Sequence, residues 1–174
     1  MHTSPAAAFA AVAVALLVAH QVADHWVQTS HQAATKGRAG DEGRLACAAH
    51  VATYTLVTTA AVITVWLTLA LPLSPGGVLA GQVVSAITHY WADRRTTLER
   101  LATRLRLAGF YGLGSPRPVR VAVVDEAGAL AYDCEGQVVT VPVDAPSLGT
   151  GAYQLDQSWH WLWLAVAALI TVLL

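Results

Sequence analysis

Residues 5–24, PAAAFAAVAVALLVAHQVAD, decide the reading of the whole chain. No polar side chain occurs from Ala6 to Ala19. A helix rising 1.5 Å per residue needs about 20 such residues to cross the roughly 30 Å hydrocarbon core of a bilayer. A helix on the surface of a soluble domain would keep a polar face at helical spacing. This stretch has none, so its surroundings read as lipid. Ser4 before Pro5 supplies an N-cap followed by proline at the first helical position. The apolar run then gives way to His20 and Asp24, four residues apart.

Composition extends the reading beyond this stretch. Hydrophobic residues make up 55% of the chain and charged residues 12%, against about 25% charged in soluble domains. The fold class predicted is an all-α membrane protein with four transmembrane helices. The first span runs from Pro5 to about Gln28, the second from about Leu45 to Leu71. The third, from about Gly76 to Arg94, repeats the cap signal with Ser74-Pro75. The fourth runs from about Gln157 to Leu174, and its stretch from Leu162 reads as apolar on every side. Met1 to Ala19 holds no Lys or Arg, so the first span lacks the basic region of a cleaved signal and is read as retained. Cys47 and Cys134 make no disulfide framework; Cys47 reads as a small hydrophobe.

Charge gives the orientation. The 10 Lys and Arg residues all lie between Lys36 and Arg120, in the two segments that follow spans one and three. Basic loops stay in the cytoplasm, which predicts a multi-pass plasma-membrane protein with both termini outside. Trp26, Trp91, Trp159, Trp161 and Trp163 mark the inner interface. After span three, Leu98, Leu101 and Leu105 interleave with Arg100, Arg104 and Arg106 in a short basic amphipathic helix. Together with Arg94 and Arg95, Arg100 and Arg104 suit anionic headgroups; the stripe is too short to favour nucleic acid. Val119–Val124, Leu130–Tyr132 and Val138–Val143 read as a small strand meander. The domain plan is therefore spans one to three with the basic segment (1–107), a β-rich cytoplasmic insert (108–155) and span four (156–174), making one membrane domain.

The chemistry gathers at the span ends. His20 and Asp24 close the first, His50 opens the second, His89 and Asp93 close the third, and Asp156 and His160 open the fourth. Three of these are pairs at i, i+4, which puts both side chains on one helical face roughly 6 Å apart. The topology brings all four ends to one side of the membrane. Ionisable groups in membrane spans are costly and face the bundle interior or a wet cavity. Imidazole and carboxylate together are what zinc, manganese or iron coordinate. His20, Asp24, His50, His89, Asp93 and His160 are thus the expected ligands of a divalent metal, zinc first, with Asp156 as general base. A purely hydrogen-bonded or proton-carrying network is the alternative. His25 and His31 read as surface histidines. Gly77, Gly81 and Ser85 form a small-residue seam for close helix packing.

These motifs, His20-Gln21-Val22-Ala23-Asp24-His25-Trp26-Val27-Gln28, His50, His89-Tyr90-Trp91-Ala92-Asp93-Arg94 and Asp156-Gln157-Ser158-Trp159-His160, resemble a family of small bacterial and phage membrane proteins known as a domain of unknown function. The resemblance covers the four spans and leaves residues from about Arg117 to Pro146 as a variable addition. It implies a four-helix membrane protein with the His/Asp motifs as its signature, and no activity. A looser similarity to membrane-bound metal-dependent hydrolases is an analogy only. The function expected is a metal-dependent hydrolase working at the cytoplasmic membrane surface on a phosphoester or lipid-linked substrate, with Arg94 and Arg95 clamping phosphate. The competing expectations are a proton or metal-ion relay, in which a homo-oligomer supplies the missing path, and a non-enzymatic membrane adaptor.

Overall fold

The computed structural model describes residues 4–115, 118–120, 140–142 and 150–174. Among these the chain is overwhelmingly helical. Helix α1 (Pro5–Val22) runs into a π-helical turn (Ala23–Val27) and is followed by the short α2 (Ser30–Thr35). Then come α3 (Gly40–Thr68), α4 (Pro75–Asp93), α5 (Thr96–Arg104), α6 (Ala108–Tyr111), the strands β1 (Pro118–Arg120) and β2 (Thr140–Pro142), and α7 (Gly151–Leu173). The two strands pair antiparallel, Val119 opposite Val141. The remainder of the expected meander, Leu130–Tyr132 included, lies outside the described residues.

Both caps read from the sequence are present. Ser4 Oγ accepts from Ala7 N–H at 3.2 Å and Ser74 Oγ from Gly77 N–H at 2.8 Å, each with proline in the first turn. Helix α7 begins earlier than expected. Thr150 Oγ1 accepts from Tyr153 N–H at 3.1 Å, and Gly151 N–H donates to Leu113 O at 2.9 Å. A Cβ on Gly151 would collide with Phe110 O, so glycine here marks a close backbone approach, not a break. Residues 151–155 therefore belong to α7 rather than to the insert. Helix α3 also starts earlier, with Asp41 and Glu42 in its first turn, where carboxylates suit the helix dipole. Helix α2 was not foreseen; a reciprocal capping box between Thr29 and Gln32 builds it.

The four long helices close into a ring: α1 packs on α3, α3 on α4, α4 on α7 and α7 on α1. Each contributes one inward stripe at helical spacing: Ala8, Val12, Leu16 and His20; His50, Tyr54, Thr58 and Val62; Val78, Gln82, Ser85 and His89; His160, Leu164, Ala167 and Thr171. The interior is layered along its length. Ala8, Val12, Leu16, Val62, Val78, Leu164 and Ala167 make an apolar layer at one end. The histidines make a polar layer at the other. Between them lie Tyr54 bonded to Ser85 (2.7 Å) and Thr58 bonded to Gln82 (2.9 Å).

The outside inverts the usual arrangement. Val14, Val18, Leu56, Leu67, Leu79, Ile87, Leu162 and Leu173 all point outward and are well exposed. Two helices, Pro5–Val27 and Gly40–Thr68, are long and apolar enough to cross a membrane. Helices α4 and α7 share the apolar exterior but carry Gln82, Ser85, His89 and Asp93, and Asp156, Gln157 and His160, which dilute their apolar character. Helix α5 is amphipathic as read: Leu98 and Ala102 are buried while Arg100 and Arg104 are exposed. Part of its apolar face is taken up by α7.

Helices α4 and α7 approach closely because Gly77 and Gly81 leave room. A Cβ on Gly77 would lie 2.6 Å from Thr171 O, and one on Gly81 2.8 Å from Ala167 O. Ser85, one step further along the seam, has turned away from α7 toward Tyr54 on α3. Overpacking of this kind costs about 1–3 kcal/mol. Gly81→Ala is accordingly expected to lower the unfolding midpoint in detergent, while Gly76→Ala, whose Cβ would meet Ser74 Oγ at an unstrained 3.8 Å, leaves the midpoint unchanged. Equal midpoints for the two variants would contradict the packing described.

Candidate metal centre

Four helix ends deliver the polar side chains to one place. His20 comes from the last turn of α1 and Asp24 from the π turn, a kind of local widening often found at functional sites. His50 sits two turns and more inside α3, His89 and Asp93 in the last turns of α4, Asp156 and His160 in the middle of α7. All seven predicted residues converge. Neighbouring rings among the four histidines lie with centroids 4.3–5.6 Å apart. His20, His50, His89, His160 and Asp93 are buried, Asp24 is nearly so, and only the Asp156 side chain, 30% exposed, reaches toward solvent. His25 and His31 stay outside on the surface, as read.

The geometry at the centre is specific. His50 Nε2 and His89 Nε2 are 3.0 Å apart. Asp24 Oδ1 lies 3.4 Å from the first and 3.6 Å from the second; Asp93 Oδ2 lies 3.3 and 3.2 Å from them. A tetrahedral ion with ligand bonds of about 2.0–2.1 Å requires ligand atoms about 3.3–3.4 Å apart. Five of the six edges of such a tetrahedron are therefore present to within a few tenths of an ångström.

Supporting contacts orient the ligands. With its amide turned to satisfy its neighbours, Gln28 accepts from His50 Nδ1 at 3.3 Å and from Lys36 Nζ at 2.8 Å, and donates to Asp24 O at 3.2 Å. A proton on His50 Nδ1 leaves the Nε2 lone pair facing the centre, the arrangement that metal-bound histidines use. Tyr54 stacks on His89 at 3.9 Å between centroids and holds the ring in place. Several buried polar atoms find no hydrogen bond among the described residues: both ring nitrogens of His20, Asp24 Oδ1, His89 Nδ1 and His160 Nε2. Buried polar atoms are normally satisfied, so this group marks where a ligand belongs.

Lys36 was missed as a site residue. Its Nζ lies 2.9 Å from Asp93 Oδ2, with both side chains buried. Arg94 fixes it there by donating to Lys36 O at 2.6 Å and Arg38 O at 2.5 Å. Arg94 is thus committed to the backbone between α2 and α3, whereas Arg95, which donates to Ala33 O at 3.4 Å, lines a cavity. The sequence did hold one signal: Lys36 is the single lysine beside nine arginines.

That cavity, of about 440 Å³, opens over the carboxylates. Asp24, Asp93 and Asp156 form its floor, and Lys36, Arg95, Tyr111 and Tyr153 its walls. Burial, with the Glu99 carboxylate adding to it, pushes the Tyr111 phenol upward, so it stays a neutral hydrogen-bond donor at the mouth. Three carboxylates face the Lys36 ammonium and the Arg95 guanidinium here, an excess of negative charge that a divalent ion would offset. Unpaired buried charge is otherwise expensive.

Cobalt(II) reports directly on such a site. The wild-type protein should bind it with the intense visible bands of a four-coordinate ion; His50→Ala and Asp24→Ala should lose them, and the surface variant His25→Ala should keep them. Pale six-coordinate bands that none of the three substitutions alters would count against the tetrahedron. No protein-family model, curated protein or solved structure matches the chain, and its chemistry rests on the geometry of these side chains.

Proposed function

We propose that this chain is a four-helix membrane protein whose His/Asp centre hydrolyses a phosphoester at the cytoplasmic face of the bilayer. In this reading α1, α3, α4 and α7 all cross the membrane, and the insert between Gly112 and Thr150 lies in the cytoplasm. The exterior of all four helices supports it: the large exposed side chains along them are mostly Val, Leu and Ile, the exposed Thr64 and Thr68 hydroxyls bond back to their own helix, and His20, His50, Gln82, His89, Gln157 and His160 are inside. That is the distribution expected when the solvent is hydrocarbon and ionisable groups must face the interior. Lys36, Arg38, Arg44, Arg94, Arg95, Arg100 and Arg104 gather at the histidine end, which the positive-inside rule assigns to the cytoplasm.

The observation that carries catalysis over mere structure is the open cavity ending on the ligand carboxylates. A catalytic metal keeps a position for water and substrate; with His50, His89, Asp24 and Asp93 all on one ion, that position would be a fifth one, facing the cavity. A bound divalent ion would lower the pKa of a coordinated water to about 7. Asp156, 30% exposed and lining the cavity, is the residue that would accept a proton from such a water and return it to the leaving oxygen. Arg95 and Lys36 face the substrate's phosphate oxygens, and neutral Tyr111 can donate to them. Proton or ion relay fits less well, because among the described residues the buried layer of Ala8, Val12, Leu16, Val62 and Leu164 is apolar and the Thr171 hydroxyl beside it is bonded to its own helix at Ala167 O.

Purified protein in detergent, supplied with zinc or manganese, is expected to release phosphate from phosphatidic acid micelles and to stop on addition of a chelator. Asp156→Asn should reduce turnover on the order of 10²–10⁴-fold, the usual contribution of a general base, with the ion on His50 and His89 retained. Metal-loaded protein that leaves phosphomonoester and phosphodiester lipids alike untouched would falsify the hydrolase reading.

A further inference from the structure

We propose that the centre holds two divalent ions bridged by Asp24 and Asp93, an inference that rests on reading the cluster as a metal site and deepens it. The bridging is written in how each carboxylate divides its oxygens. Asp24 turns Oδ1 toward His50 and His89, and its Oδ2 lies 3.6 Å from His20 Nδ1. Asp93 turns Oδ2 toward the same two histidines, and its Oδ1 lies 3.9 Å from His160 Nε2. Both carboxylates thus face the first tetrahedron with one oxygen and a second set of donors with the other.

That second set is complete enough to hold an ion. Asp156 Oδ1 is 3.6 Å from His160 Nε2, and ligand atoms of Asp93, Asp156 and His160 lie within 4.8 Å of one another. His20 and His160 have ring centroids 4.9 Å apart. His20 is fully buried with neither nitrogen hydrogen-bonded among the described residues, and His160 Nε2 is likewise unpartnered at 3% exposure. One ion bound by His50, His89, Asp24 and Asp93 leaves these imidazoles unexplained. A second ion on His20, His160 and Asp156, sharing the two carboxylates, uses every one of them.

The arrangement also narrows the substrate. Two ions about 3.5–4 Å apart clamp the attacking and leaving oxygens of an in-line displacement. With two divalent ions, the three carboxylates and Lys36 leave the pocket net positive, which favours a phosphate ester over a neutral amide or carboxylic ester.

The test is manganese stoichiometry and electron paramagnetic resonance on the full chain in detergent, after removal of loosely held metal. Two ions per chain with an exchange-coupled multiline spectrum are expected. His160→Ala should drop the ratio from two to one and restore the six-line spectrum of an isolated ion. A wild-type ratio of one with the isolated six-line spectrum overturns the second ion and leaves the single-ion centre standing. A ratio of zero overturns both. If His160→Ala does not fold, the wild-type spectrum alone decides.

Discussion

Ionised and polar groups inside an apolar shell must satisfy one another, since no water can do it for them. In this protein that constraint falls on Asp24, Asp93, Lys36 and four imidazoles packed at one end of a helical ring, with Asp156 at their solvent edge. Removing any one partner exposes the rest: without Lys36, Asp93 loses its 2.9 Å contact, and without Gln28, His50 loses the neighbour that sets its tautomer. The fold around them can be understood as the scaffold this cluster needs. Glycines let α4 and α7 close up, Arg94 ties down the segment that carries Lys36, and Tyr54 braces His89 from the layer beneath. A divalent ion is the simplest agent that completes the balance of charge and of unused lone pairs.

The layering explains how such a cluster is tolerated. Apolar packing of Ala8, Val12, Leu16, Val62 and Leu164 holds one end of the ring, and burying such side chains contributes about 25 cal/mol per Å² removed from water. Interhelical hydrogen bonds add to it: the Tyr54–Ser85 and Thr58–Gln82 bonds both join α3 to α4 between the apolar layer and the histidines. The long helices and the π turn thereby hold the His and Asp side chains, while the more open side of the cluster, toward Arg95 and Tyr111, is built from loop and short-helix residues.

Much of the site was legible because its parts repeat a pattern. His20 with Asp24, His89 with Asp93 and Asp156 with His160 all sit at i, i+4, and the alternation of long apolar runs sets which ends meet. Helix starts capped by Ser4-Pro5 and Ser74-Pro75 were equally readable. What escaped depended on tertiary contact. Gly151 reads as a breaker until Phe110 O is seen against it. Lys36 reads as a loop charge marking topology, and only its approach to Asp93 shows that it enters the interior. Arg94 looked like a phosphate ligand because arginine side chains at a membrane surface suit phosphate, yet backbone carbonyls from the α2–α3 connection claim it. Of the four expected spans, two, Pro5–Val27 and Gly40–Thr68, are long and apolar enough to cross a membrane, while His89, Asp93, Asp156 and His160 lower the apolar character of α4 and α7.

The central claim is that imidazoles and carboxylates from four helices share a metal, and X-ray absorption at the metal edge addresses it without reference to any activity. On zinc-loaded, chelator-washed protein the account predicts nitrogen and oxygen neighbours at about 2.0–2.1 Å, with the outer-shell scattering of at least two imidazole rings. An absence of bound zinc, or a shell of oxygen alone with no imidazole signature, would contradict it.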